Sequence, residues 1–179
     1  HMNVPHTHQI LHDALAREAD ALLLVALSGG LDSTVLLHAL AQQPATRARG
    51  LRAVHVEHGL HADAGAWTAH CVAFCASLGV PIVQVVVSVE RTGGEGLEAA
   101  ARKARYAAFE SVLMPGETLV TAHHRDDQAE TFLLRALRGS GPDGLAAMRP
   151  LRSFATGKHW RPLLDIPRDL LHAYAQAHG

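Results

Sequence analysis

Apolar residues in this chain alternate between short solid runs and longer spaced ones. "ALLLVAL" (21–27), "LRAVHVEH" (51–58), "PIVQVVVSV" (81–89) and "ETLVTAHH" (117–124) are nearly continuous, the pattern of strands buried on both faces. Between them lie stretches with helical spacing: "STVLLHALAQ" (33–42), "AGAWTAHCVAFCASLG" (64–79) closed by Gly79, and the alanine-rich "LEAAARKARYAAFESVL" (97–113). A further helix, "DDQAETFLLRALRG" (126–139), opens on acids, which the positive end of the helix dipole favours. Past residue 139 the periodicity fades, and residues 139–167 predict a long loop over the site. A short helix in "PRDLLHAYAQAHG" follows, with Pro167 suited to its first turn and Asp165 to its cap.

Strands alternating with helices predict an α/β, doubly wound parallel sheet. The expected strand order is 3-2-1-4, with five strands at most and any fifth lying beyond the fourth. Ligands of such sheets sit at the carboxyl ends of the strands, where the order reverses. Glycines and polar residues gather at those ends: "SGGLDS" after strand one, "HVEHGLHAD" at strand two, "TGGEG" after strand three and "HHRDDQAET" after strand four.

Composition narrows the picture. A chain of 179 residues with 48% hydrophobic content suits one globular domain. The formal charge of −1 differs from the strong positive charge common in nucleic-acid binders, so any polyanion site must be local or lie on another segment. Cys71 and Cys75 are too few for a disulfide scaffold, and their spacing puts them on one buried helix face. No apolar run reaches the ~20 residues of a membrane span, and no secretory pattern opens the chain, which makes cytoplasmic location the expectation. His1-Met2 reads as a remnant of tag removal.

"ALLLVALSGGLDSTVLLHAL" (21–40) carries the first chemistry: a strand, a Ser-Gly-Gly turn and a helix. Such a turn presents free backbone N–H groups to an anion. The lysine of the P-loop and the spacing of the dinucleotide fingerprint are both missing. A carboxylate, Asp32, stands there instead. Mg²⁺ commonly joins one or two carboxylates to phosphate oxygens, so an acid in the turn points to a magnesium-bound triphosphate. The alternative is a structural turn in which Asp32 caps the helix.

"SGGLDS" after an apolar strand resembles the signature of the N-type ATP pyrophosphatases, the PP-loop superfamily, whose fold is adenine nucleotide alpha hydrolase-like. "HVEHGLHADAGAWTAHCVAFCASLGVP", "GLEAAARKARYAAF", "TAHHRDDQAETFLLRALRGSGPDGLAAM" and "RPLLDIPRDLLHAYAQAHG" are similar to the tRNA(Ile)-lysidine synthetases, from about residue 20 to the end. The resemblance implies an ATP-dependent ligase. It adenylates the wobble cytidine of tRNA(Ile) with a CAU anticodon, and free L-lysine then displaces AMP to give lysidine. By the same resemblance Ser28, Gly29, Gly30, Leu31, Asp32 and Ser33 bind ATP, with Asp32 as Mg²⁺ ligand. Asp127 and Glu130 belong near metal or the lysine amine, and His123 near the reacting base. Arg102 and Arg105 flank the site, although surface charge is their plainer reading. Glu57 is a mild departure, standing where the family usually has a small polar residue or Asp.

His55 and His58 read as satisfied strand-end histidines rather than metal ligands. Trp67 and Trp160 are either base-stacking or packing residues. Residues 3–179 are expected to form the catalytic domain, with the family's C-terminal tRNA-binding domains absent from it. Two other readings stand beside the ligase. One is a PP-loop tRNA thiolase, disfavoured by buried cysteines. The other is a non-catalytic nucleotide-binding module, disfavoured by Asp32 and the acids at 126–130.

Overall fold

A computed structural model of the chain describes residues 4–16, 21–59, 64–89, 96–124 and 149–179. In order these form α1 (Val4–Leu15), β1 (Leu22–Ala26), α2 (Leu31–Ala41), α3 (Pro44–Arg49), β2 (Leu51–Glu57), α4 (Ala64–Leu78), β3 (Ile82–Val86), α5 (Leu97–Val112), β4 (Glu117–Val120), β5 (Leu151–Phe154), β6 (Gly157–Trp160) and α6 (Arg168–His178). The six strands make one sheet in the order β3-β2-β1-β4-β6-β5. All neighbours pair parallel except β5 and β6, an antiparallel hairpin.

The 3-2-1-4 core is as expected, and the additional strands lie beyond β4. Two expectations about the sheet fail. The sheet has six strands, not five at most, and residues 151–160, expected within a loop, are a hairpin. Strands of four residues mixing Arg, Lys and Gly carry too little alternation to be heard. α1 and α3 were not anticipated either. α6 begins at Arg168 with Pro167 as its N-cap and no side-chain cap, so Asp165 does not fill that role. The expected helix at 126–139 lies outside the described residues.

Alternation along β1 divides the core. Leu23, Val25 and Leu27 pack with α1, α2, α4 and α6, whereas Leu24 joins Phe109 of α5, the C-cap residue Leu113 and Leu119 of β4. Val35, Leu36, Leu37 and Leu40 are all buried, so α2 is apolar nearly all round; it is enclosed between the sheet and the terminal helices. Cys71 and Cys75 lie in this layer, fully buried as expected.

On the α5 face a polar tie crosses β1. Arg52 donates from Nε and Nη2 to the Glu117 carboxylate, both at 2.7 Å, and from Nη2 to Val112 O at 2.5 Å. The hydrogen bond to Glu117 holds the Arg52 guanidinium above its usual range, against its partial burial. The hairpin docks on the same strand end. A Cβ at Gly157 would overlap the backbone of Glu117, so only glycine lets β6 run this close to β4. Between β5 and β6, Ala155 takes φ 48°, a left-handed value uncommon for a residue with a Cβ.

Candidate active site

β1 ends in a turn that its own hydroxyls hold shut. Ser28 N donates to Ser33 Oγ at 3.1 Å, the two serine hydroxyls lie 3.0 Å apart, and Gly30 N donates to Ser28 Oγ at 3.2 Å. Ser33 and Thr34 hydroxyls donate back to Gly30 O at 3.3 and 2.7 Å. Gly29 has φ 93°, which a side chain at that position would strain. Gly30 is the N-cap of α2 and no side chain caps the helix, so its first N–H groups open onto the turn.

Asp32 sits inside the first turn of α2 and is not the cap. Its Oδ2 accepts from His124 Nε2 at 3.1 Å. Its Oδ1 is buried, with no hydrogen-bond partner among the described residues. A buried carboxylate oxygen without a donor is costly unless a cation completes it. Asp32 therefore fits a divalent ion that takes most of its other oxygens from phosphate and water, as Mg²⁺ does. Among the described residues no group of three or more His, Cys, Asp or Glu forms a metal cage.

The turn opens into a cleft of about 580 Å³ between the ends of β1, β2 and β4, with α5 along one side. His55 is satisfied, as expected: Nδ1 faces Leu27 O at 2.8 Å and Nε2 faces Thr68 Oγ1 at 3.1 Å. Thr68 in turn donates to Glu57 Oε2 at 3.3 Å. His58 departs from that expectation, since its Nδ1 is buried and without a partner among the described residues. Burial, then the positive charge of Arg105, then His55, lowers its pKa. Trp67 lines the cleft and is 47% exposed, whereas Trp160 is core.

Of the two arginines, Arg105 lines the cleft, and burial lowers its pKa more than the Tyr106 hydroxyl raises it. Arg102 is exposed and lies over the Tyr106 ring at 4.9 Å, outside the cleft lining. His123 reaches the cleft and meets Thr121 Oγ1 through Nδ1 at 2.8 Å. The same hydroxyl meets Nε2 of fully buried His159 at 2.7 Å. A hydroxyl donates only once, so one ring must donate to it. His159 Nδ1 has no partner among the described residues, and an unpaired lone pair is better tolerated there than an unpaired N–H. His159 thus donates from Nε2, Thr121 donates to His123 Nδ1, and His123 carries its proton on Nε2. Asp127 and Glu130 lie outside the described residues.

The family model for the PP-loop domain matches residues 3–179. The chain belongs to the PP-loop family. It is 66% identical over 157 residues to the tRNA(Ile)-lysidine synthase of Xanthomonas campestris pv. campestris strain 8004, covering 88% of this chain and 36% of that one. To the enzyme of the same name from Xylella fastidiosa strain 9a5c it is 61% identical over 154 residues, covering 86% and 35%. The chain spans about a third of the length of these relatives. Among solved structures, the U34-tRNA thiolase NcsA from Methanococcus maripaludis superposes with TM-score 0.71 at 20% identity, over 97% of this chain and 63% of that one, a likeness of fold.

Within this PP-loop site, sequence reasoning singled out His123 but not its neighbour. His124, only 6% exposed, is the residue that touches Asp32. The doublet "HH" just past a buried strand was its signal, because in extended chain two adjacent side chains point to opposite sides and one of them turns toward α2. Thr121, His159 and Tyr106 gave no signal that local sequence carries; their relation is made by the fold.

Proposed function

We propose that this chain carries the ATP-cleaving and ligating centre of a tRNA(Ile)-lysidine-forming enzyme. Asp32 carries the proposal: a carboxylate whose buried Oδ1 has no donor among the described residues, at the mouth of a glycine turn and a helix N-terminus. Such a group repels bare phosphate and suits Mg-ATP. The high identity to relatives bearing that name supports the choice of substrate.

In this reading the Ser28–Ser33 turn and the first N–H groups of α2 receive the β and γ phosphates and hold the pyrophosphate as it leaves. Mg²⁺, held by Asp32, would neutralise charge that builds on the leaving group. His124 fixes the Asp32 carboxylate. Arg105 holds a phosphate or cytidine oxygen from the α5 side, and Arg102 approaches from the rim. His123, oriented by Thr121, faces the reacting base through an Nε2–H. Asp127 and Glu130 act near the metal or the lysine amine. The α phosphate is transferred to the cytidine 2-oxygen, and the lysine ε-amine then displaces AMP.

A sulfur-transferring reading is disfavoured. Burial pushes the Cys71 thiol up, and burial with Cys71 beside it pushes Cys75 up to about 11, so neither is a ready thiolate. The test is pyrophosphate and AMP release with CAU-anticodon tRNA and ATP, with lysine present or omitted. Lysine-dependent AMP release and incorporation of labelled lysine into tRNA are expected. AMP release that ignores lysine would overturn the ligase reading, and no release under any condition would leave only a nucleotide-binding module.

A further inference from the structure

Four arginines of this chain gather on one face with no salt-bridge partner among the described residues. Residues 149–161 hold four basic residues and no acid, and residues 99–109 hold three and no acid. The hairpin register sets Arg152 opposite His159 and Phe154 opposite Gly157, so Arg152, Phe154 and His159 share the face that looks at α5. Contacts agree. Arg152 lies over the Phe154 ring at 5.4 Å, Tyr106 of α5 meets Phe154 at 6.0 Å and His159 at 5.8 Å, and Arg102 lies over Tyr106. Arg161, two residues past His159, is 5% exposed; its Nη1 donates to Arg149 O at 2.8 Å and its buried Nε has no partner among the described residues.

None of Arg102, Arg105, Arg152 and Arg161 has a carboxylate partner among the described residues. The field of three of them is legible on His159, which burial first, and then Arg161, Arg152, His123 and Arg102, hold neutral down to a pKa of about 2. Charges that merely guard an exposed strand edge belong on the edge strand. Here two of the four are on α5 and one is buried. Nor does the ATP cleft account for Arg152 and Arg161, neither of which lines it.

Resting on the proposed tRNA substrate, we infer that the α5-facing side of the β5–β6 hairpin, with Arg102, Arg105, Tyr106, Arg152 and Phe154 and with buried Arg161 adding its charge from beneath, is a docking surface for a looped single-stranded RNA segment entering the cleft. Guanidinium forks suit phosphate oxygens, and guanidinium planes and aromatic rings accept unstacked bases. A chain of net charge −1 thereby gains a local polyanion site. Tyr106 and Arg105 belong both to this surface and to the cleft, so a bound loop is continuous with the reaction centre.

The hairpin carries its own control. Lys158 pairs with Ser153 and lies on the opposite face from Arg152. Binding of an RNA hairpin with a CAU loop is measured over a range of salt concentrations for the parent chain, Arg152→Glu and Lys158→Glu, with thermal melts to verify folding. Arg152→Glu is expected to weaken binding ~10-fold at low salt and to reduce the slope of log K on log salt by ~0.7, the single-strand value for one lost phosphate contact. Lys158→Glu should stay within about twofold of the parent. Equal losses in the two variants, unchanged binding by Arg152→Glu, no RNA binding by the parent, or an Arg152 effect confined to anionic lipid vesicles would each overturn the inference. ATP titration in parallel separates it from the catalytic proposal. Arg152-dependent RNA binding without ATP binding sinks the catalytic reading alone; lysine-dependent AMP release with RNA binding indifferent to Arg152 sinks the docking surface alone.

Discussion

His124 donates to Asp32 across the gap between β4 and α2, Nε2 to Oδ2 at 3.1 Å, while the other carboxylate oxygen stays buried and unpaired among the described residues. One oxygen is thus fixed by the protein, and in the proposed function the other takes the cation. Asp32→Asn keeps the shape and removes the charge. It is expected to abolish ATP-dependent pyrophosphate release while shifting the melting temperature by only a few degrees. Activity equal to that of the parent would reduce Asp32 to a structural residue.

His124→Gln keeps a donor near Asp32 and His124→Ala removes it. Because His124 acts through Asp32, the alanine variant should raise the Mg²⁺ concentration needed for half-maximal activity, on the order of tenfold, as loss of an outer-shell partner does. Glutamine should restore most of it. A magnesium titration on both variants checks this, and identical curves for the alanine variant and the parent would contradict the role.

Glu117, 3% exposed, accepts from Arg52 twice and from the Met114 backbone N–H at 2.9 Å. Glu117→Ala leaves a largely buried guanidinium without its anion. A loss of about 3 kcal/mol is expected from urea unfolding. A change below about 1 kcal/mol would mean that solvent reaches Arg52 freely.

His159 supplies an acid limb to stability. Its folded pKa, held to about 2 chiefly by burial, lies below the unfolded 6.5. Between those values the unfolded chain binds a proton that the folded chain refuses. Stability therefore falls as pH drops from 6.5, by about 1.4 kcal/mol per pH unit, and is indifferent to this group above 6.5. His159→Gln should remove about 2 kcal/mol of the difference between pH 7 and pH 5. Burial lowers His38 too, so a shallower acid limb remains in the variant. Parallel stability profiles of variant and parent across this window would refute the assignment.

Ala155 holds a left-handed φ of 48° in the two-residue link between β5 and β6. An L-residue there costs ~1 kcal/mol or more, only part of which glycine returns as lost chain entropy. Ala155→Gly is expected to stabilise the chain by about 0.5 kcal/mol, read as a higher urea midpoint at constant slope. A lower midpoint would show that the turn is not strained.

What could be read without coordinates followed from long-range rules that depend on little local detail. Solid apolar runs gave β1 to β4 and their order, because parallel strands buried on both faces have few other arrangements. The Ser-Gly-Gly turn and Asp32 announced themselves because both residue type and spacing are unusual there. The hairpin escaped notice because Arg152, Lys158 and Gly157 serve contacts made across the sheet, not a local period. His124 stood in plain view beside His123, but which of two adjacent histidines faces Asp32 depends on the register of β4. The basic surface was invisible in the net charge, since it is assembled from α5 and a hairpin some fifty residues later.

The Ser28–Ser33 hydroxyl lock has a kinetic consequence. A phosphate loop that must be ordered by its ligand loses affinity to that ordering and closes slowly. Here two side-chain hydroxyls and the Gly30 carbonyl define the turn through hydrogen bonds within the chain itself. Its N–H groups are already aimed, so the first collision that delivers a nucleotide in register is also the productive one, and selectivity rests on how long the nucleotide stays and not on how it arrives.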